Sequence, residues 1–106
     1  MSLFGNSSDE TGEKISVIAT IRAKSGHEAE VRTAMESLPG PSRKEAGCLK
    51  YDVFEDKYYT GSFFTYEEWA SEAALETHLA GAKSALNKLK ALLREEMVIS
   101  VVKVLR

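Results

Sequence analysis

The sequence predicts an α+β domain whose strands and helices run in the order β-α-β-β-α-β. Three observations carry that expectation. Four short runs are rich in β-branched and aromatic residues and either alternate or stay apolar throughout. Two segments repeat aliphatic residues at the helical period. The length of 106 residues leaves room for one hydrophobic core. This element order is the split-βαβ arrangement of a ferredoxin-like fold, an antiparallel sheet with two helices on one face.

Residues 1–13 open on a stretch rich in Ser, Asp, Asn and Gly without periodicity and read as a flexible leader, with 14–106 as a single domain. The run Ile15-Ser16-Val17-Ile18-Ala19-Thr20-Ile21 is the first strand, with Ile15, Val17, Ala19 and Ile21 on one face. Ser25-Gly26-His27-Glu28 has the S-x-x-E spacing of a capping box, in which the Ser hydroxyl and the Glu carboxylate satisfy orphan backbone donors. The helix it opens carries Val31, Ala34, Met35 and Leu38 on one stripe and is stopped by Pro39-Gly40-Pro41. Ser42-Arg43-Lys44-Glu45 repeats the spacing and predicts one more helical turn, closed by Gly47 in the left-handed conformation.

Over 48–55, Leu49, Tyr51 and Val53 alternate with Lys50, Asp52 and Phe54, and the polar link 56–61 leads into 62–69 as a hairpin. Its second strand places Phe63, Thr65, Glu67 and Trp69 on one face and Phe64, Tyr66 and Glu68 on the other. The long helix opens near Ser71 and carries Leu75, Leu79, Ala82, Leu86, Leu89 and Leu93 at spacings of 4, 3, 4, 3 and 4. Met97 to Leu105 is almost continuously apolar and β-branched, and is expected to be a central or well-covered last strand.

Alternation fails where exposure to water would require it. Ile18 opposes Ile15 and Val17, Phe64 opposes Phe63, and Val98, Val102 and Val104 oppose Ile99, Val101 and Leu105. Two helices cover one face of a sheet only, so the second apolar face calls for another subunit, most economically a two-fold copy: a homodimer is expected.

Composition narrows the chemistry. Fourteen Lys and Arg against sixteen Asp and Glu give a net charge of -2, with no basic block interleaved with aromatics, which argues against a nucleic-acid partner. No apolar run is long enough to span a bilayer and no signal-peptide pattern occurs, so neither a membrane partner nor export is expected. The single cysteine, Cys48, cannot form an internal disulfide, which fits a cytoplasmic location. Cys48, His27 and His78 match no zinc-ligand spacing, so no metal is expected, and no phosphate-cradling glycine loop or nucleophile elbow occurs.

The segment from Ser42 to Phe54, SRKEAGCLKYDVF, and Phe63-Phe64-Thr65-Tyr66-Glu67-Glu68-Trp69 followed nine residues later by His78 resemble the antibiotic biosynthesis monooxygenase (ABM) family of dimeric α+β barrel proteins. The likeness runs from about Lys14 to Arg106, and Glu-x-Trp followed by His is its most specific part. It implies a scaffold that hosts quinol and anthrone oxygenases, haem-degrading enzymes and a sugar-phosphate isomerase. Members of the family often carry a second His where this chain has Lys83. The haem-degrading branch would need an Asn at Ala19, a Trp at His78 and its haem-ligating His at Lys88, so no haem is expected and no cofactor is assigned.

His78 lies about 60° from the line of Leu75, at the edge of the apolar stripe, where an imidazole with an ordinary pKa near ~6.5 can act as a general base. The competing reading is a half-buried histidine hydrogen-bonded to a backbone carbonyl. Trp69, Tyr66 and Tyr51 are candidate pocket groups, Tyr51 as a phenol donor, and Lys83 is a candidate phosphate contact. Glu67 needs a partner on a covered strand, for which Arg22 or Arg43 is expected. Cys48 reads as a small buried apolar residue and His27 as a solvated one. The functional expectation is a cofactor-independent monooxygenase that oxidises a small aromatic quinol or polyketide-like substrate with dioxygen. The alternatives are a non-catalytic dimeric module binding a small ligand, or a sugar-phosphate isomerase on the same fold.

Overall fold

The computed structural model describes residues 13–105, so the expected leader lies, apart from Glu13, outside the described residues. The elements are β1 (Ile15–Arg22), α1 (Glu28–Glu36), α2 (Pro39–Arg43), β2 (Cys48–Glu55), β3 (Ser62–Trp69), α3 (Glu72–Lys90) and β4 (Val98–Val102). The four strands form one antiparallel sheet in the order β2-β3-β1-β4, with the helices on one face, as a ferredoxin-like fold requires. Alternation decides which side chains face the helices: Val17, Ala19 and Ile21 of β1 and Phe63, Thr65, Glu67 and Trp69 of β3 are buried. Val31 and Met35 of α1 and Leu89 of α3 close over Ala19, Ile21 and Phe63.

Local chemistry departs from expectation at both helix entries of the first half. Gly26, at φ 88, turns the chain so that His27 becomes the N-cap of α1 and makes no side-chain capping bond. The Glu28 carboxylate accepts from the Gly26 N–H at 3.0 Å, so the reciprocal Ser25 box does not form. Pro39-Gly40-Pro41 ends α1 but starts α2, because proline's missing N–H is an orphan donor in a first helical turn anyway. Ser42 therefore lies buried inside α2 instead of capping a later turn. Gly47 does take a positive φ of 83, and a Cβ there would stand 2.6 Å from the Ala74 Cβ. Ser71 caps α3 by accepting from the Ala74 N–H at 3.1 Å.

The sheet holds three further corrections. A register shift between Cys48 and Lys50 takes Leu49 out of line with Tyr51, leaving Leu49 57% exposed while Tyr51 is 4% exposed. β4 is an edge strand, not a central one: it pairs with β1 alone, and Val98, Ile99 and Val101 are 54, 41 and 45% exposed. Glu67 pairs with neither arginine, because its face looks at the helices: Arg43 reaches Asp52 and the Tyr51 carbonyl, and Arg22 lies 4.0 Å from Glu95.

Candidate functional site

The site forms where β2, β3 and α3 meet beneath the end of α2. β2 supplies Tyr51, β3 supplies Trp69, and α3 brings His78 down onto both. The His78 ring lies 4.5 Å from the Trp69 ring at 30° and 5.6 Å from the Tyr51 ring at 62°, and Tyr51 meets Trp69 edge-on at 6.4 Å. All three are buried, Trp69 completely. Such a stack pins the imidazole plane.

The backbone-carbonyl partner considered for His78 is replaced by a carboxylate. Both oxygens of Glu45, on the link between α2 and β2, stand 3.0 Å from His78 Nδ1. An ionised carboxylate only accepts, so Nδ1 carries a proton, and in the neutral imidazole the lone pair falls on Nε2. Glu45 is 37% exposed, whereas the His78 side chain is 8% exposed, so the pair spans the boundary between water and interior. Nothing local in the sequence announces this contact, which joins residues 33 positions apart.

Tyr51 is held in its protonated form by its environment. Burial pushes its phenol far above the ordinary tyrosine value, and the charges of Glu67 and Glu45 add to that, while a hydrogen bond with Ser42 opposes it. Glu67, buried beside it, accepts from the Thr65 hydroxyl at 2.7 Å and from Trp69 Nε1 at 2.9 Å. Those two donors take the place of the arginine expected from the sequence. Burial also raises the Cys48 thiol, with Glu45 and Glu67 contributing, so it is held as a thiol.

A cavity of about 320 Å³ opens between α1, α2 and α3, and Tyr51, His78, Glu45 and Ser42 provide its polar wall. Leu38, Ala82, Ala85, Leu86 and Leu89 provide the apolar one. The size suits a small aromatic molecule.

The sequence pattern of the antibiotic biosynthesis monooxygenase family matches residues 14–85, a span that includes Glu45, Tyr51, Trp69 and His78. The chain belongs to the antibiotic biosynthesis monooxygenase family. It is 33% identical over 66 residues, 62% of its own length, to the uncharacterized protein sll1783 of Synechocystis. It spans 45% of that relative's length and 63% of a second curated relative's. Among solved structures, PA3566 from Pseudomonas aeruginosa is 34% identical with a TM-score of 0.79, covering 88% of this chain and 95% of that one. A solved antibiotic biosynthesis monooxygenase is 28% identical with a TM-score of 0.79, covering 87% and 99%.

Within this ABM domain the five residues singled out in the sequence separate. His78, Tyr51 and Trp69 converge, although Trp69 backs the histidine and does not line the cavity. Tyr66 is on the opposite sheet face, where strand alternation puts it, and its hydroxyl donates to Glu68 at 2.7 Å. Lys83 is exposed on the outer side of α3 beside Ser84, Asn87 and Lys88, away from the cavity, because five residues turn a helix about 500° and carry it past the face that His78 occupies. A phosphate contact there would not reach His78. His27 is partly exposed and bonds to Glu30 at 2.7 Å. Among the described residues no three His, Cys, Asp or Glu side chains gather around a metal-sized site, and no helix is long and apolar enough to cross a membrane.

Proposed function

We propose that the chain is a cofactor-independent oxygenase of the ABM type, acting on a small aromatic quinol or anthrone-like substrate with dioxygen. The observation that carries this reading is the Glu45-held His78 set beside a phenol kept protonated at the wall of an apolar cavity. A base, a donor and a dry aromatic slot are what such chemistry asks of a protein.

For an anthrone-like substrate, His78 Nε2 takes the phenolic proton of the enol form, and Glu45 stabilises the imidazolium. The electron-rich anion transfers one electron to dioxygen, and the two radicals join in a new C–O bond, giving a peroxide. Loss of the remaining hydrogen on that carbon as a proton, with cleavage of the O–O bond, yields the carbonyl and one water. The ring carbon has gone from CH₂ to C=O, a four-electron oxidation matched by the four electrons dioxygen accepts. Tyr51 donates a hydrogen bond to the oxyanion during the first step.

A second copy of the chain covers the outer sheet face in this reading. Ile18, Phe54 and Val98, 39, 51 and 54% exposed, support it, because apolar side chains in such number on one face are costly in a monomer. Light scattering should report a mass near twice 11.7 kDa. The catalytic reading is tested with an oxygen electrode: anthrone or a quinol should drive oxygen uptake that is lost in His78→Ala. If a broad panel of quinols produces no uptake by wild type, the oxygenase reading fails.

A further inference from the structure

We propose that a second, inner cavity is a binding site for dioxygen or another small apolar gas, separate from the cavity that admits the aromatic substrate; this assignment rests on the oxygenase reading. The inner cavity measures about 30 Å³ and lies between the sheet and α3, bounded by Val17, Ala19 and Ile21 of β1, Leu75 and Leu79 of α3, and Ile99 of β4. It meets the outer cavity along a common wall that contains Leu38, Tyr51, His78, Leu86 and Leu89. A gas molecule held there is therefore separated from a substrate in the outer cavity by a wall that includes the two side chains assigned the chemistry, Tyr51 and His78.

Size and lining select the occupant. A water needs roughly 10–15 Å³ of such space, so about 30 Å³ admits two water-sized atoms and no aromatic ring. Water itself is held only where two to four polar partners converge. Apart from His78 Nε2, a single site where water needs at least two, the polar groups in this lining have protein partners: Thr65 and Glu67 bond to each other, Glu67 also to Trp69, Tyr51 to Ser42, and His78 Nδ1 to Glu45. A two-atom apolar molecule loses nothing by entering and regains dispersion contacts with the aliphatic lining. Ile99, at 41% exposure on the edge strand, is the most exposed residue of the lining, which offers the gas an approach on the β4 side, apart from the substrate mouth between α1, α2 and α3.

Crystals of the unmodified protein pressurised with xenon test the site directly. An anomalous peak among Val17, Leu79 and Ile99 is expected; no peak there overturns the proposal. Two filling substitutions on different elements, Leu79→Phe and Ile99→Phe, guard against loss of fold in either one. Each should abolish the xenon peak and raise KM for dioxygen about tenfold, the order of discrimination set by a changed apolar pocket, while KM for the quinol stays at its wild-type value. If wild type turns over but neither folded variant alters the dioxygen KM, the gas site is wrong and the oxygenase reading stands. If xenon binds but wild type consumes no oxygen with any quinol, the oxygenase reading fails and the dioxygen assignment with it.

Discussion

The space between sheet and helices has two ends that are built differently. At one, Ala19, Ile21, Ala23, Val31, Met35, Phe63, Leu89 and Leu93 form an apolar cluster, at whose border the Ala19 N–H donates to the Thr65 hydroxyl at 3.3 Å. At the other, Val17, Tyr51, Trp69 and Leu75 pack together, with His78 and Glu67 buried beside them and Glu67 reaching Thr65. The same β1 and β3 alternation produces both. The first end is held by transfer of apolar surface, which is non-directional and tolerates exchange of one aliphatic residue for another. The second is held by hydrogen bonds between specific atoms, where removing either partner strands the other in a poor solvent. The chemistry proposed above falls at the end whose contacts are atom-specific.

Four experiments sharpen or break this contrast. The largest effect is expected for His78→Ala, which should lower oxygen consumption per folded molecule by roughly 10²–10⁴-fold. Because His78 is buried and stacked on Trp69, the same change should also lower the melting midpoint, unlike removal of a residue at the rim. Phe63→Ala at the apolar end should cost about 3–5 kcal/mol in a denaturant titration, while turnover per folded molecule holds. A loss of turnover comparable to that of His78→Ala would show that the two ends are not separable. Glu67→Ala strands the Trp69 N–H and the Thr65 hydroxyl and should cost about 1–3 kcal/mol, whereas Glu67→Gln, which can still accept from the indole, should cost less.

The smallest effect concerns Glu55, on the surface beside the apolar end. Its two hydrogen bonds from Arg32 and one from the Gly61 N–H lower its carboxyl from the ordinary 4.5 to about 2. A group with a depressed folded pKa stabilises fully above its unfolded value and loses that contribution as pH falls through the folded one. The midpoint difference between wild type and Glu55→Gln should therefore be constant near neutrality and close between about 4.5 and about 2. A difference that persists below that window would place the stabilisation in packing of the Glu55 stem.

Much of the fold was legible because its determinants are local and periodic. The alternation in Phe63, Thr65, Glu67 and Trp69 and the leucine spacing from Leu75 to Leu89 each report a face without knowledge of what lies against it. The helix-edge position of His78 was readable for the same reason. The first capping box and the position of Leu49 were not. Each depends on one residue's backbone geometry, the turn at Gly26 and the shift after Cys48, which leave no periodic trace. The edge placement of β4 was hidden too, because a run of apolar residues looks the same whether helices cover it or the sheet merely ends there.

The sequence by itself determined the order of the elements, the buried faces of β1, β3 and α3, and a histidine beside an aromatic strand. Only the tertiary structure decided which partners those side chains meet: Glu45 on His78, Thr65 and Trp69 on Glu67, and Lys83 turned away. The physical reason is one of range. Burial follows from a pattern repeated every two or about 3.6 residues, whereas a hydrogen bond needs two atoms about 3 Å apart and says nothing of their separation along the chain.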